Sequence, residues 1–165
     1  FEKLLVKEEN IHLLLVGNIT DEEYFSEIKN YIQTHSLDHN ITLITNLNPK
    51  SSDLINSYLN SNAFVLASRH EPFGIVALEA WASKLPLIIS NICGICNIIK
   101  KNNTALVFED NNENELHEHM QNLINNKKLK NTLISNASKE VLNYDESEVN
   151  KTLSKIYEKT INSKK

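Results

Sequence analysis

The residues with the clearest capacity for chemistry lie in one stretch, Ser68-Arg-His-Glu71-Pro-Phe-Gly74-Ile-Val-Ala-Leu-Glu79-Ala-Trp-Ala. It follows the apolar run Ala63–Ala67 and leads into a helical pattern carrying Ile75, Leu78 and Trp81. Gly74 falls where that helix should begin, so a ligand can approach the backbone without meeting a Cβ. The amides of Gly74, Ile75 and Val76 would then be unpaired, with the positive end of the helix dipole behind them. Such a turn suits a diphosphate. Glu71 lies in the loop and Glu79 in the second helical turn, and a carboxylate can bridge two neighbouring hydroxyls. The set fits a molecule with a diol on each side of a diphosphate, and a nucleotide-sugar is one. Ser68 and Phe73 belong to the same loop and are expected to bind the ligand with it. Arg69, the one arginine of the chain, reads either as a phosphate contact or as a salt bridge within the loop.

The elements that must position this loop follow from the hydrophobic pattern. Continuous apolar runs at His12–Gly17, Ile41–Ile44, Ala63–Ser68, Pro86–Ser90 and Ala105–Phe108 predict strands covered on both faces. Amphipathic stripes separate them: Tyr24, Phe25, Ile28, Tyr31 and Ile32, then Leu54, Ile55, Tyr58 and Leu59. Thr20–Glu23 predicts a capping box, and Asn112 with Glu115 and Asp145 with Glu148 predict two more helix starts. Beyond the last run three helical faces follow: Leu116–Ile124, Leu129–Val141 and Val149–Tyr157. This order predicts a doubly wound parallel α/β fold in a single domain, 1–165. Ligands bind such folds at the carboxyl ends of strands, which here means Gly17–Thr20, Thr45–Asn48, Ser68–Gly74 and Asn91–Asn97.

Composition narrows the classes. The 165 residues are 41% hydrophobic and 23% charged, which excludes disorder and collagen-like structure, and no apolar run approaches the ~20 residues of a membrane span. A net charge of −4 argues against a nucleic-acid partner. Two cysteines make no disulfide framework and point to a cytoplasmic setting. Their Cys93-x-x-Cys96 spacing leaves three readings open: a redox pair, half of a zinc site, or structural thiols. His117 and His119 lie on different helix faces and supply no second ligand pair. Lys127, Lys128, Lys130, Lys164 and Lys165 read as a solvated basic face among interspersed acids.

Glu71 and Glu79, seven residues apart with Phe73-Gly74 between them, resemble the Glu-(seven)-Glu signature of the retaining group 1 glycosyltransferases. These are glycogen- and sucrose-synthase-like enzymes of the GT-B fold, built from two Rossmann-like lobes. The resemblance is strongest from Asn62 to Gly94. It implies the C-terminal, donor-binding lobe of such an enzyme, partnered by an N-terminal acceptor lobe. By that resemblance Glu71 is the catalytic carboxylate on the transferred sugar, Glu79 holds the ribose and Gly74–Val76 hold the diphosphate. Thr45, Asn46 and Leu47 would border the base, with Gly17 and Asn18 near the donor. The nucleotide-sugar is then a substrate, with no cofactor and no metal required. The resemblance also implies retention of anomeric configuration, and peripheral membrane docking through the absent lobe.

Three departures from the pattern matter. The family's basic Arg and Lys pair, with its first strand, would precede Phe1, so that Phe1–Lys7 is the tail of a helix and the fragment alone is expected to be inactive. A Gly-Gly-x-Pro-Glu turn stands here as Cys93-Gly-Ile-Cys-Asn97. Lys84 and Thr104-Ala105 occupy further glycine positions. Two rival readings follow: a non-catalytic lobe serving as a binding module, and a nucleotide-sugar epimerase of the same architecture.

Overall fold

The computed structural model describes residues 1–48 and 51–162. Lys164 and Lys165 lie outside the described residues. The chain divides into two compact units, Phe1–Ser61 and Asn62–Lys165.

In the first unit the order is α1 (Glu2–Leu5), β1 (Leu13–Gly17), α2 (Glu22–Thr34), β2 (Ile41–Thr45) and α3 (Ser52–Leu59). β1 and β2 run parallel, from Leu13 opposite Ile41 to Gly17 opposite Thr45. Parallel pairing requires a crossover, and α2 supplies it. The cap of α2 is Asp21 rather than Thr20: its carboxylate accepts the Tyr24 amide at 3.0 Å from an extended backbone. The helix begins at Glu22, so the third helical residue is Tyr24, which cannot bond back to the cap: a simple Asp21 cap stands in place of the capping box that Thr20–Glu23 predicts. The Tyr31 hydroxyl donates to Glu2 at 2.8 Å, tying α1 to α2. Of the predicted stripe on α2 only Ile32 is fully buried. Leu15, Val16 and Gly17 are exposed as well, so β1 is not covered on both faces as its unbroken apolar run suggests.

The second unit contains β3 (Phe64–Leu66), α4 (Ile75–Ala82), β4 (Leu87–Ser90), α5 (Cys96–Asn102), β5 (Leu106–Phe108), α6 (Glu113–Asn125) and α7 (Lys127–Glu140). A 3-10 turn (Val141–Tyr144) and α8 (Glu146–Asn162) complete it. The sheet order is β3-β4-β5, all parallel. β4 is buried throughout, and its side chains alternate between two cores. Leu87 and Ile89 join Ala77 and Trp81 of α4 with Ile95, Ile99 and Ala137. Ile88 joins Phe108, Leu123 and Leu133. Helices therefore close both faces of this sheet, which is the α/β class that the pattern predicts.

The later helices start where their caps predict. Asn112 accepts the Glu115 amide at 3.1 Å, while the Glu115 carboxylate takes the Glu109 amide at 2.7 Å. Asn126 accepts the Leu129 amide at 2.9 Å, opening α7. Asp145 accepts the Ser147 amide and hydroxyl at 2.9 and 2.7 Å, holding the start of α8. The apolar face of α8, Val149, Leu153, Ile156 and Tyr157, is exposed. No described helix is long and apolar enough to cross a membrane.

Candidate functional site

The loop from β3 to α4 turns into its helix at Gly74, whose φ of +103° and ψ of 53° lie in the left-handed region. Any L side chain would be strained there, which is why glycine stands at the cap. The first helical bond runs from the Ala77 amide to the Gly74 carbonyl at 2.9 Å. The amides of Gly74, Ile75 and Val76 donate to no acceptor among the described residues. α4 buries Ala77, Ala80 and Trp81. Its outer face carries Ile75, 66% exposed, and one turn later Glu79, also exposed. A positive helix end, unpartnered amides and a carboxylate on the same outer face therefore follow from one glycine.

Two hydrogen bonds fasten the loop to the next turn: Gly94 N–H to the Glu71 carbonyl at 3.1 Å, and Ile95 N–H to the Phe73 carbonyl at 3.0 Å. Gly94 sits so close that an added Cβ would lie 1.9 Å from the Pro72 carbonyl oxygen. Gly74 also faces Ile95 and the Glu71 side chain, whose Cγ lies 3.8 Å from where a Gly74 Cβ would be. Glu71 is half-buried, whereas Arg69 and His70 are exposed, and Arg69 makes no ion pair among the described residues. The Phe73 ring meets that of Tyr144 at 6.0 Å between centroids, tilted by 55°.

Cys93 lies beneath this loop, free and buried. Burial chiefly, then Cys96 and the negative charge of Glu71, push its thiol up to about 11. Burial also raises Cys96, whose S–H donates to the Ser90 carbonyl at 3.1 Å. Burial thus works at both positions against the thiolate form that redox chemistry uses. Among the described residues no group of three or more His, Cys, Asp and Glu is arranged to hold a metal ion.

The remaining candidates belong to the first unit. Gly17 and Thr45 are direct partners at the carboxyl ends of β1 and β2, with Asn18 directly after one and Asn46 and Leu47 directly after the other. Asn46 takes a left-handed φ of 60° that turns the chain out of β2. A hollow of ≈250 Å³ there is lined by Gly17, Asn18, Thr20, Tyr24, Phe25 and Thr45, among others. This is slightly below the volumes that enclose a drug-sized ligand. A larger hollow, ≈560 Å³, is an open trough along α7 by Lys127, Lys128 and Asn131, with no residue of either loop in it.

Sequence reasoning missed the parts that hold the loop: the seat of Gly94 on Pro72, the nearness of Cys93 to Glu71, and Tyr144. One signal was available for the first. The chain has only three glycines: Gly17 ends β1, Gly74 caps α4, and Gly94 lies in the turn before α5.

The fold is of the parallel α/β class, with a glycine-capped helix start in the loop that follows β3. The chain belongs to the group 1 glycosyltransferases: the family model described as "Glycosyl transferases group 1" matches residues 1–140. It is 30% identical over 149 residues to the capsular polysaccharide biosynthesis glycosyltransferase CapM of Staphylococcus aureus, covering 90% of this chain and 38% of that protein. Its fold is similar to that of Anabaena HepE, solved in complex with UDP, with a TM-score of 0.83 at 16% identity over 96% of this chain and 44% of the other. It is also similar to the C-terminal domain of the group 1 family protein LpcC from Francisella tularensis, with a TM-score of 0.74 at 22% identity over 87% and 74% of the two chains. The chain spans little more than a third of the length of the curated relatives it matches.

Proposed function

We propose that this chain forms the donor lobe of a retaining glycosyltransferase, which moves a hexosyl group from a nucleotide-diphosphate sugar to an acceptor. The observation that carries the reading is the helix start at Gly74, with three unpartnered amides between Glu71 and Glu79. In this reading the Gly74–Val76 amides bind the diphosphate and stabilise its charge as it leaves, a task that preorganised N–H dipoles perform without a metal. Arg69, exposed and without an ion pair among the described residues, adds positive charge beside them. Glu71 orients the hydroxyls of the transferred sugar and Glu79 grips the ribose diol. The acceptor, held by an N-terminal lobe, attacks the anomeric carbon on the face the diphosphate leaves, so configuration is retained. Likeness of fold to a protein solved in complex with UDP, and to an isolated C-terminal domain of a group 1 family protein, supports this division of labour. We place the whole enzyme in the cytoplasm, with any membrane contact made through the acceptor lobe.

Calorimetric titration with nucleoside diphosphates and their sugars tests the site. Binding that Glu79→Ala weakens is expected, and no binding by any of them would falsify the assignment. In the whole enzyme Glu71→Ala should lower transfer steeply, and an unchanged rate would remove Glu71 from the reaction. A single anomeric product with the donor's configuration is expected; an inverted product would refute retention.

A further inference from the structure

We propose that Tyr144 is a positioning residue: its ring bears on Phe73 and so holds the Glu71–Gly74 turn in the shape that receives the donor. The inference rests on the nucleotide-sugar reading above. Phe73 is 38% exposed at the tip of the loop, and it immediately precedes the left-handed Gly74. A glycine joint is conformationally permissive, so the geometry of this turn has to be imposed by its neighbours. On the backbone, Gly94 and Ile95 do so through their bonds to the Glu71 and Phe73 carbonyls. The Phe73 side chain is met by Tyr144, 6.0 Å away and tilted, an arrangement that aromatic pairs favour.

Tyr144 is itself well seated. It ends the 3-10 turn that follows α7, and with Val141 it packs against the core formed by Ala77, Trp81, Ile95 and Ala137. Its hydroxyl donates to no acceptor among the described residues, so the ring carries the contact. The family model ends at residue 140, which leaves this support outside the matched region. Tyr144 thereby links the end of the helical segment to the loop that carries Glu71.

The test uses Tyr144→Leu, Tyr144→Phe, Phe73→Leu and the Phe73/Tyr144 double leucine variant. Amide hydrogen exchange is read first, without ligand. Tyr144→Leu should speed exchange at Gly94 and Ile95 about tenfold while leaving Ile99, inside α5, unchanged. UDP titration is read second. Its Kd should rise about tenfold in Tyr144→Leu and stay near the original in Tyr144→Phe. The double variant should bind no worse than Phe73→Leu alone, because Tyr144 acts through Phe73. Unchanged exchange at Gly94 and Ile95, or additive losses in the double variant, would overturn the inference. Failure of the unsubstituted chain to bind any nucleoside diphosphate would count against the donor reading, while exchange at Ile95 would still decide the role of Tyr144.

Discussion

Gly94 rests directly on Pro72: its amide reaches past to the Glu71 carbonyl at 3.1 Å, and a Cβ on Gly94 would come within 1.9 Å of the Pro72 oxygen. The obstacle is backbone rather than the tip of a flexible side chain, so it cannot swing aside. Gly94→Ala is expected to force the two turns apart. The cost should be about 1–3 kcal/mol of stability, as for other overpacked sites. Denaturant midpoints measure the loss, and it should be accompanied by weaker nucleotide binding, since the displaced turn carries Glu71.

Gly74 is constrained for a different reason. Its nearest neighbour to a built Cβ is Ile95 Cγ2 at an ordinary 3.4 Å, so space is not the difficulty; the φ of +103° is. Gly74→Ala should cost about 1–2 kcal/mol through backbone strain, or else shift the start of α4 and lose the amide cluster. Comparing it with Gly74→Asn in thermal melts separates these, because Asn tolerates left-handed backbone better than Ala does.

Cys93 makes stability depend on pH at the alkaline end. Its thiol ordinarily ionises near 9.0, and in the fold it is pushed up to about 11. The folded state therefore keeps a proton that the unfolded state releases. The stabilisation is complete below pH 9 and is lost as pH rises towards 11. Cys93→Ser should flatten that part of a stability-against-pH curve. Thiol reagents at pH 8 should react slowly with the native protein and quickly once denaturant exposes both cysteines.

Asp145 acts in the acid range. Hydrogen bonds from the Ser147 hydroxyl and amide hold its carboxyl below the usual aspartate value. In acid the unfolded chain takes up the proton first. The cap therefore favours the fold above the usual value and stops doing so as pH falls through the lowered one. Protection of the Ser147 amide should disappear over that window, and Asp145→Ala should remove it already at neutral pH.

Much of the local architecture was legible in the amino-acid order because its causes are short-range. Asn112 with Glu115 marks the start of α6 within four residues; the apolar set Ile75, Leu78 and Trp81 gives α4 as a helix, but its buried side is Ala77, Ala80 and Trp81, and Ile75 is exposed. Gly74 could be placed at a helix start, and Glu79 in the second turn of that helix, from the local sequence alone. Thr20 and Asp21 show the limit of that reasoning. Both are cap residues, and only the helix start at Glu22 decides that Asp21 binds the Tyr24 amide.

Contacts between distant residues were settled only in three dimensions. No spacing rule relates Gly94 to Pro72 or Tyr144 to Phe73, because those approaches depend on where β3, β4 and the end of α7 lie in the folded unit. The same holds for Leu15 and Val16, whose types suit a covered strand but whose exposure depends on which layers lie over β1. Side-chain type and order thus determine what each segment can be. Close approach, burial and the pKa of a thiol depend on what other segments bring to it, and that information exists only after the chain has folded.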